Sequence, residues 1–336
     1  MHRMSSLEYS FLADELARGL AGRHFNRIRK LKEGLYRMKI GSSEIICELG
    51  VRIHFTRYIE EAKEADKFAE KLDKELDNAK LRQVRQLAGD RILSFDFESG
   101  EGESSLIFEM FGEGNAILAR GGKIICAAKY ESWSDREIKA GAEYRTPKTA
   151  PSEKLEAGPK YIIVSLMKLP LGKDYALEAL ARCGIGEKTP GSALSGNKLM
   201  ELERAISGIR ESAKPVGFFE NGKMKDFALA PLSKYATLEN RAFASLSEAA
   251  DEYYSKVEEE NPELEKLEER LKKQKERLSA LADEEAASRA LGDLIYANYA
   301  KAEEALALAK AGKFDELEKK FAAKIDRKEK KMEFEL

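Results

Sequence analysis

A charged pair, Asp90 and Arg91, follows a glycine and precedes a strand pattern, and it is the best candidate for chemistry in the sequence. The strand pattern is an alternation of Leu93, Phe95 and Phe97 with polar residues. Because consecutive strand residues point to opposite faces, both charged side chains can serve one site only if Asp90 still lies in the loop. There an arginine offers a planar fork to a phosphate, a base edge or a carboxylate, and an aspartate accepts hydrogen bonds from amines. A solvated turn whose two charges satisfy each other is the structural alternative.

Arg52 and His54 alternate in the stretch "GVRIHF", which places both side chains on one face of a predicted strand. This pattern fits a phosphate contact, and it fits equally an exposed or capped strand face. Other basic residues could extend a positive surface, since local clusters of lysine and arginine bind nucleic-acid phosphates. The candidates for such phosphate contacts are Arg23, Arg27, Arg29, Lys30, Lys80, Arg82, Arg85 and Asn115.

The composition is that of a folded protein with an extended, highly charged part. The 336 residues carry 58 Lys+Arg against 60 Asp+Glu, and charged residues make up 35% of the chain, above the usual quarter. A chain of this length predicts two or three domains. The net charge of −2 conceals a basic segment over residues 18–39, so a nucleic-acid partner is compatible with the composition.

Common catalytic and metal-binding motifs are missing from the sequence. It has no P-loop, no GxGxxG after a strand, no GxSxG, no CxxC and no HExxH. Cys47, Cys126 and Cys183 are far apart in apolar surroundings, which predicts buried free thiols. No signal peptide or apolar run of membrane-spanning length is visible, which predicts a soluble cytoplasmic protein. We therefore expect no catalytic residue, no metal and no cofactor.

Residues 1–148 repeat one plan, in which a helix is followed by short strands. The patterns predict a helix over residues 5–20 and four strands up to residue 58. A second helix is predicted over residues 60–76, with five strands up to residue 130. Helices and antiparallel strands in this order predict an α+β fold with a β-sandwich that carries two helices.

The rest of the chain predicts a helical module and a coiled coil. After a Pro/Gly-rich linker, residues 160–250 predict a helix-hairpin-helix-like module around Gly184-Ile185-Gly186. A turn of this type can hold phosphates, and it also occurs in helical bundles for purely structural reasons. A β-hairpin that turns at Asn221-Gly222 is expected to return to the first domain. Leucines then repeat every seven residues, which indicates a coiled-coil helix that requires a partner helix. We expect three domains, over residues 1–148, 160–250 and 251–336.

Several stretches, in this order, resemble the NFACT family over nearly the whole chain. They are "GVRIHFT", "GDRILSFDF", "LIFEMFGEGNAIL", "GAEYRTP", "FASLSEAADEYY" and "LIYANY". The combination of "GDRI" with "FGEGNAIL" is specific. The resemblance implies an N-terminal domain related in fold to the formamidopyrimidine DNA glycosylases, a helix-hairpin-helix module and a long coiled coil.

The resemblance also implies a function in ribosome-associated quality control. Such proteins bind a large ribosomal subunit obstructed by peptidyl-tRNA, recruit tRNA, and support mRNA-independent addition of a C-terminal tail. In the family an Asp-Arg pair is needed for tRNA engagement and tailing, and it falls on Asp90 and Arg91. Glu8 stands where the family has an aspartate. We expect Glu8, Arg52 and His54 to be further tRNA contacts.

Three departures from the family pattern bear on this expectation. Glu8 keeps the carboxylate but reaches one carbon further than the aspartate. Asp73 stands where the family helix commonly has an arginine, which removes a phosphate contact there. The family's C-terminal RNA-binding region and returning coiled-coil helix lie outside these 336 residues, so the rest of a longer chain or a second polypeptide is expected to supply them.

Two other functions compete with this one. A coiled-coil docking adaptor would use its N-terminal domain for attachment and would not select tRNA. A DNA glycosylase-like enzyme would follow from the fold, but the glycosylases that share it typically use an N-terminal proline amine and a zinc ribbon. This chain begins Met1-His2-Arg3-Met4 and has no paired cysteines. We therefore expect a binding and positioning factor rather than an enzyme.

Overall fold

The computed structural model of the protein describes residues 2–59, 66–147, 151–152, 154–259, 262–326 and 331–333. Contacts between residues divide the chain into two compact units, residues 1–259 and 260–336, which are treated one at a time. Antiparallel sheets and helices confirm the expected α+β class. The likeness to DNA glycosylases and the division into three domains stay predictions.

The first helix and the first sheet follow the predicted pattern. The elements are α1 (Ser6–Leu20), β1 (Phe25–Lys32), β2 (Leu35–Ile40), β3 (Ser43–Glu48) and β4 (Arg52–Phe55). The Ser5 hydroxyl accepts a hydrogen bond from the Glu8 N–H (3.3 Å), and this N-cap begins α1. Leu12, Leu16 and Leu20 form its fully buried stripe. The four strands pair in sequence order as one antiparallel sheet.

A second helix and a five-stranded sheet repeat the plan. The elements are α2 (Lys67–Glu75), β5 (Lys80–Gln86), β6 (Ile92–Ser99), β7 (Gly102–Glu109), β8 (Asn115–Arg120), β9 (Lys123–Ala127), β10 (Glu131–Ser132) and β11 (Glu137–Ile138). Strands β5 to β9 pair in sequence order, and the β8–β9 hairpin turns at Gly121-Gly122. Residues 60–65 of the predicted second helix lie outside the described residues.

The two sheets share one hydrophobic core. Leu93, Phe95 and Phe97 of β6 are buried in the same cluster as residues from every strand of the first sheet. The rings of Phe25 and Phe97 meet edge to face, with centroids 5.9 Å apart. Strand alternation therefore produces the predicted two-sheet packing. Cys47 and Cys126 lie in this core as free thiols, and Cys183 is likewise buried and free, which confirms the sequence prediction.

A helical part and a small sheet complete the first unit. The elements are α3 (Ile162–Leu166), α4 (Lys173–Arg182), α5 (Gly196–Glu211), β12 (Val216–Glu220), β13 (Lys223–Ala228), β14 (Glu239–Ala242) and α6 (Leu246–Glu259). The Asn221-Gly222 turn joins β12 to β13 as predicted. The Gly184-Ile185-Gly186 turn ends α4 without leading directly into a helix, because α5 begins at Gly196. Residues 167–172, here called the α3–α4 turn, directly join two helices.

The second unit is mainly helical in its described part. Its elements are α7 (Pro262–Ala297), α8 (Tyr299–Lys310), α9 (Phe314–Phe321), β15 (Lys324–Asp326) and β16 (Lys331–Glu333). The predicted heptad stripe lies on α7, and its described leucines Leu271, Leu278 and Leu281 are 49–72% exposed. The two short strands pair antiparallel.

Candidate functional site

The Asp90–Arg91 pair lies in a tight loop immediately before β6. The Asp90 N–H donates to the Leu87 carbonyl (3.0 Å), and Ala88 and Gly89 have positive φ angles of 52° and 64°. Asp90 Oδ1 accepts from the Arg91 N–H (2.7 Å). Both residues therefore precede the strand, which is the arrangement in which their side chains can serve one site.

These two residues line a cavity of about 710 Å³, here called the Asp90 cavity. Its walls come from five parts of the first unit: the loop before β6, the segment at the start of α1, the loop between β7 and β8, the α3–α4 turn with the start of α4, and the linker. The lining residues are Arg3, Met4, Ser5, Ser6, Asp90, Arg91, Phe111, Pro147, Pro151, Ser152, Met167, Lys168, Leu169, Gly172 and Lys173.

Two helices begin at the wall of this cavity. Ser5 is the N-cap of α1, and Gly172 is the N-cap of α4, with no side-chain hydrogen bond to its helix end. A Cβ atom on Gly172 would lie 2.4 Å from the Cβ of Ser5, and its φ of 96° also favours glycine. Glycine is therefore required for the two helix ends to approach. The uncapped end of α4 adds a partial positive charge to the cavity wall, whereas the Glu8 carboxylate caps the end of α1.

Four cationic side chains line the cavity and have no neutralising partner among the described residues. Arg3, Lys168 and Lys173 are exposed and Arg91 is half-buried. None of the four side chains has a hydrogen bond or ion pair within the described part of the chain. Asp90 is the acidic residue among the described lining residues. This arrangement favours an anionic ligand, because like charges gathered around one cavity are relieved by a bound anion.

The loop and the first helix are connected behind the cavity. The Gln86 side-chain amide donates to the carbonyl of Asp90 (2.7 Å) and to the carbonyl of Ser6 (2.8 Å). One side chain thus fixes the Asp90 loop against the start of α1. The two groups that form this part of the wall are held in place before any ligand arrives.

Glu8 lies behind the cavity wall and is 1% exposed, so the structure does not support the expected direct tRNA contact. Its carboxylate accepts from the Ser5 N–H (2.6 Å) and from the Tyr175 hydroxyl (2.8 Å), and it lies 3.4 Å from His2 Nε2. Burial opposes ionisation of Glu8, but the His2 charge and these hydrogen bonds lower its pKa. Glu8 is therefore a structural anion that caps α1 and joins it to α4.

His2 is bound between two carboxylates, because Asp226 Oδ1 lies 2.6 Å from His2 Nδ1 while Glu8 faces the other ring nitrogen. Burial alone would lower the pKa of His2, but the Glu8 charge and the Asp226 hydrogen bond raise it to about 10. Burial would raise the pKa of Asp226, yet the His2 interaction lowers it to about 2. Tyr253 and Tyr254 also hold the His2 backbone, with hydrogen bonds of 3.0 and 2.9 Å.

Arg52 and His54 share one face of β4 as predicted, but that face is covered by α6. Arg52 is 3% exposed, pairs with Glu48 at 3.0 Å and lies 4.3 Å from the centroid of the Tyr254 ring. His54 is fully buried, stacks on Tyr254 and contacts the Phe55 carbonyl through Nδ1 (2.7 Å). Burial and the Arg52 charge lower the pKa of His54 to about 3. Neither side chain offers RNA a surface, which corrects the expectation for both.

Most of the remaining phosphate candidates interact with neighbouring protein groups. Asn115 is 2% exposed and its amide donates to the Lys129 carbonyl (2.8 Å), so it is not a surface contact either. The side-chain pairs are Arg23 with Ser42 and Ser43, Arg29 with Asp73, Lys30 with Glu33, Arg82 with Glu98, and Arg85 with Asp96. Arg27 and Lys80 are exposed and lie on β1 and β5, away from the residues that line the Asp90 cavity.

Three cavity cations, Arg3, Lys168 and Lys173, were missed by the sequence reasoning. They are isolated in sequence, and no motif groups them with Asp90. A weak signal existed in "LPLGK", since a glycine before a lysine at the start of a helical pattern can place a cation at a helix N-terminus. Their grouping depends on tertiary packing of the α3–α4 turn.

Among the described residues, no helix is both long and apolar enough to cross a membrane. No group of three or more His, Cys, Asp or Glu side chains in the same residues could hold a metal ion.

Comparisons with known proteins give consistent matches. A family model of NFACT N-terminal and middle domains matches residues 10–333. The archaeal Rqc2 homolog aRqcH of Methanocaldococcus jannaschii is 32% identical over 299 residues, which cover 79% of this chain and 45% of that protein. The ribosome quality control complex subunit NEMF of Mus musculus is 24% identical, with 88% of this chain and 33% of that protein covered. The chain thus spans less than half the length of these curated relatives.

A solved structure supports the fold of the larger part. The N-terminal part of the fibronectin/fibrinogen-binding protein from Streptococcus suis superposes with a TM-score of 0.59 at 24% identity. The match covers 75% of this chain and 99% of that one. At this identity the similarity concerns the fold alone.

Proposed function

The chain belongs to the family of proteins with NFACT N-terminal and middle domains, and from this premise we propose that it acts in ribosome-associated quality control. In this function the protein binds, in the cytoplasm, a large ribosomal subunit that is obstructed by peptidyl-tRNA. It recruits tRNA for mRNA-independent C-terminal tailing of the stalled chain. Two relatives, an archaeal Rqc2 homolog and a ribosome quality control complex subunit, support this proposal by their names.

The observation that carries the tRNA part of the proposal is the Asp90 cavity. Asp90 and Arg91 lie at its wall, and no described residue pairs with the side chains of Arg91, Arg3, Lys168 or Lys173. Unpaired cations give a salt-dependent attraction to phosphates, and an arginine fork with a neighbouring carboxylate can read a base edge. Both requirements of RNA binding are thus present in one place.

The proposed role is positioning rather than catalysis. The Asp90 cavity combines an acceptor, an arginine fork and cations, which are groups that bind and orient an RNA. Peptide bond formation would belong to the ribosome, and this protein would raise its rate by holding a charged tRNA in a productive place.

The second unit would provide the surface through which the protein attaches to a partner helix. Leu271, Leu278 and Leu281 are exposed at heptad spacing on α7. A partner helix, from the rest of a longer chain or from a second polypeptide, would cover them. The same source would supply the C-terminal RNA-binding region.

The test is to crosslink the protein to RNA in lysate and sequence the bound RNA, alongside the variant Asp90→Ala/Arg91→Ala. We expect enrichment of tRNA together with large-subunit rRNA, with the tRNA lost in the variant and the rRNA retained. Large-subunit rRNA without tRNA, unchanged in the variant, would contradict tRNA recruitment and favour a docking adaptor. A variant with an unchanged melting temperature confirms that the loss reflects binding.

A further inference from the structure

We propose that Arg3, Lys168 and Lys173 form a second phosphate-binding surface in the Asp90 cavity and hold the backbone of an unpaired RNA segment beside Asp90 and Arg91. The inference rests on the proposed function, because it states which residues of the same cavity bind the RNA backbone. It adds the α3–α4 turn and the segment before α1 to a site that the sequence assigns to one loop.

The first support is the contrast in charge pairing. Basic residues on the two sheets are largely neutralised within the protein, as Arg85 is by Asp96 at 2.8 Å. Arg3, Lys168 and Lys173 belong to two distant segments, yet they converge on one cavity with no ion-pair partner among the described residues. A cation that no carboxylate neutralises keeps its full charge for a phosphate.

The second support is the backbone of the cavity wall. Lys173 is the first residue of α4, and Gly172 before it brings the α4 N-terminus against Ser5, the N-cap of α1. The lysine charge and the positive end of α4, which has no side-chain cap, therefore add at one wall, whereas the Glu8 carboxylate offsets the end of α1. This addition strengthens the attraction that the three side chains supply.

The third support is size. A cavity of about 710 Å³ lies within the range of sites that enclose small molecules, so it has room for a nucleotide and not for a duplex. Proteins read RNA mainly at loops and ends, where bases are unpaired and can leave the stack. Lysine and arginine contacts to phosphate carry no base preference. The surface would thus add affinity while Asp90 and Arg91 supply any selectivity.

The experiment measures the affinity for total tRNA between about 50 and 200 mM salt for the full chain and for Lys168→Gln/Lys173→Gln. We expect the slope of log affinity against log salt to become shallower by about 0.7 for each lost phosphate contact. Lys188→Gln is the control for the loss of one charge and is compared with half the effect of the lysine pair, because Lys188 is also exposed and lies beside the Gly184-Ile185-Gly186 turn. Arg3→Gln should add to the effect of the lysine pair.

The outcomes separate this inference from the proposed function. If the wild-type chain binds tRNA in an Arg91-dependent way but the lysine pair leaves the slope unchanged, the inference is overturned and the proposed function stands. An equal or larger effect of Lys188→Gln would move the phosphate surface to the other turn and overturn it as well. If the wild-type chain binds no tRNA, both fail.

A second comparison tests the unpaired segment. The same variants are titrated with a single-stranded RNA and with a duplex of the same length. We expect the lysine pair to weaken binding of the single strand and to leave duplex binding nearly unchanged. A lysine-dependent loss that is equal for both would contradict entry of an unpaired segment into the cavity.

Discussion

The Tyr175 hydroxyl donates a 2.8 Å hydrogen bond to Glu8 Oε1, and both side chains are buried. The same hydroxyl accepts from the Leu229 N–H at 2.9 Å. Helices α1 and α4 are therefore joined just behind the two N-termini that line the Asp90 cavity. The spacing of its walls depends on this bond, which makes Glu8 a residue that shapes the cavity rather than one that contacts its ligand.

Replacing Glu8 by alanine should destabilise the protein by about 3 kcal/mol, because it leaves buried donors of Ser5 and Tyr175 and the charge of His2 without their acceptor. Urea unfolding followed by circular dichroism measures the change. Glu33→Ala is the control, since the Glu33 side chain is 87% exposed and its loss should change the free energy of unfolding by less than about 0.5 kcal/mol. Equal stability of the Glu8 variant and wild type would contradict the buried network.

Stability should fall as the pH rises from neutral to alkaline, because His2 loses its proton. Its pKa is raised from 6.5 to about 10, so the stabilisation is complete below pH 6.5 and is lost as the pH passes through about 10. The expected loss is on the order of 5 kcal/mol. Urea unfolding at several pH values is the measurement. His2→Gln should be less stable at neutral pH and should show a flatter alkaline decline, and an identical decline in both proteins would refute the assignment.

Gly172→Ala should destabilise the protein more than Gly184→Ala. Both glycines have positive φ angles, 96° and 63°, so both substitutions introduce backbone strain of about 1 kcal/mol or more. At Gly172 the added methyl group also meets the Cβ of Ser5, whereas nothing lies within 4 Å of a Cβ at Gly184. Thermal unfolding should show a loss of about 3 kcal/mol for Gly172→Ala. If Gly172→Ala loses no more stability than the control Gly184→Ala, the two helix ends can move apart without a cost in free energy.

Arg91→Lys should bind tRNA more weakly by about 1.5 kcal/mol while keeping the salt slope of the wild type. Lysine retains the charge but lacks the planar fork that makes paired hydrogen bonds with a base edge or phosphate. Arg27→Lys is a suitable control, because Arg27 is exposed on β1 away from the cavity. Full affinity in Arg91→Lys would show that a point charge suffices at this position.

The strands and helices of the first unit could be predicted from the sequence because their signals are local. The alternation of Leu93, Phe95 and Phe97 fixes the buried face of β6, and Ser5 marks the start of α1. The Gly121-Gly122 turn likewise needs no distant partner. The loop position of Asp90 follows from the adjacent glycine.

The roles of Glu8, Arg52 and His54 could not be predicted, because the elements that bury them lie far along the chain. Glu8 is covered through Tyr175 of α4, and His54 is covered through Tyr254 of α6. A polar residue on a strand face has the same local pattern whether solvent or another helix faces it. For the same reason, the sequence pattern could not predict that the cations of the α3–α4 turn line the Asp90 cavity.

The contacts that hold His2 are made with residues that are translated much later. The segment from His2 to Ser5 is among the first parts of this chain to be translated, whereas its partners Asp226, Tyr253 and Tyr254 follow more than 220 residues later. Contacts of such long sequence separation are slow to form, because closing a long loop costs entropy. A nascent chain that ends before Asp226 therefore lacks the side chains that bind its first residues. The Asp90 cavity would be completed on the finished first unit and not on its unfinished precursors.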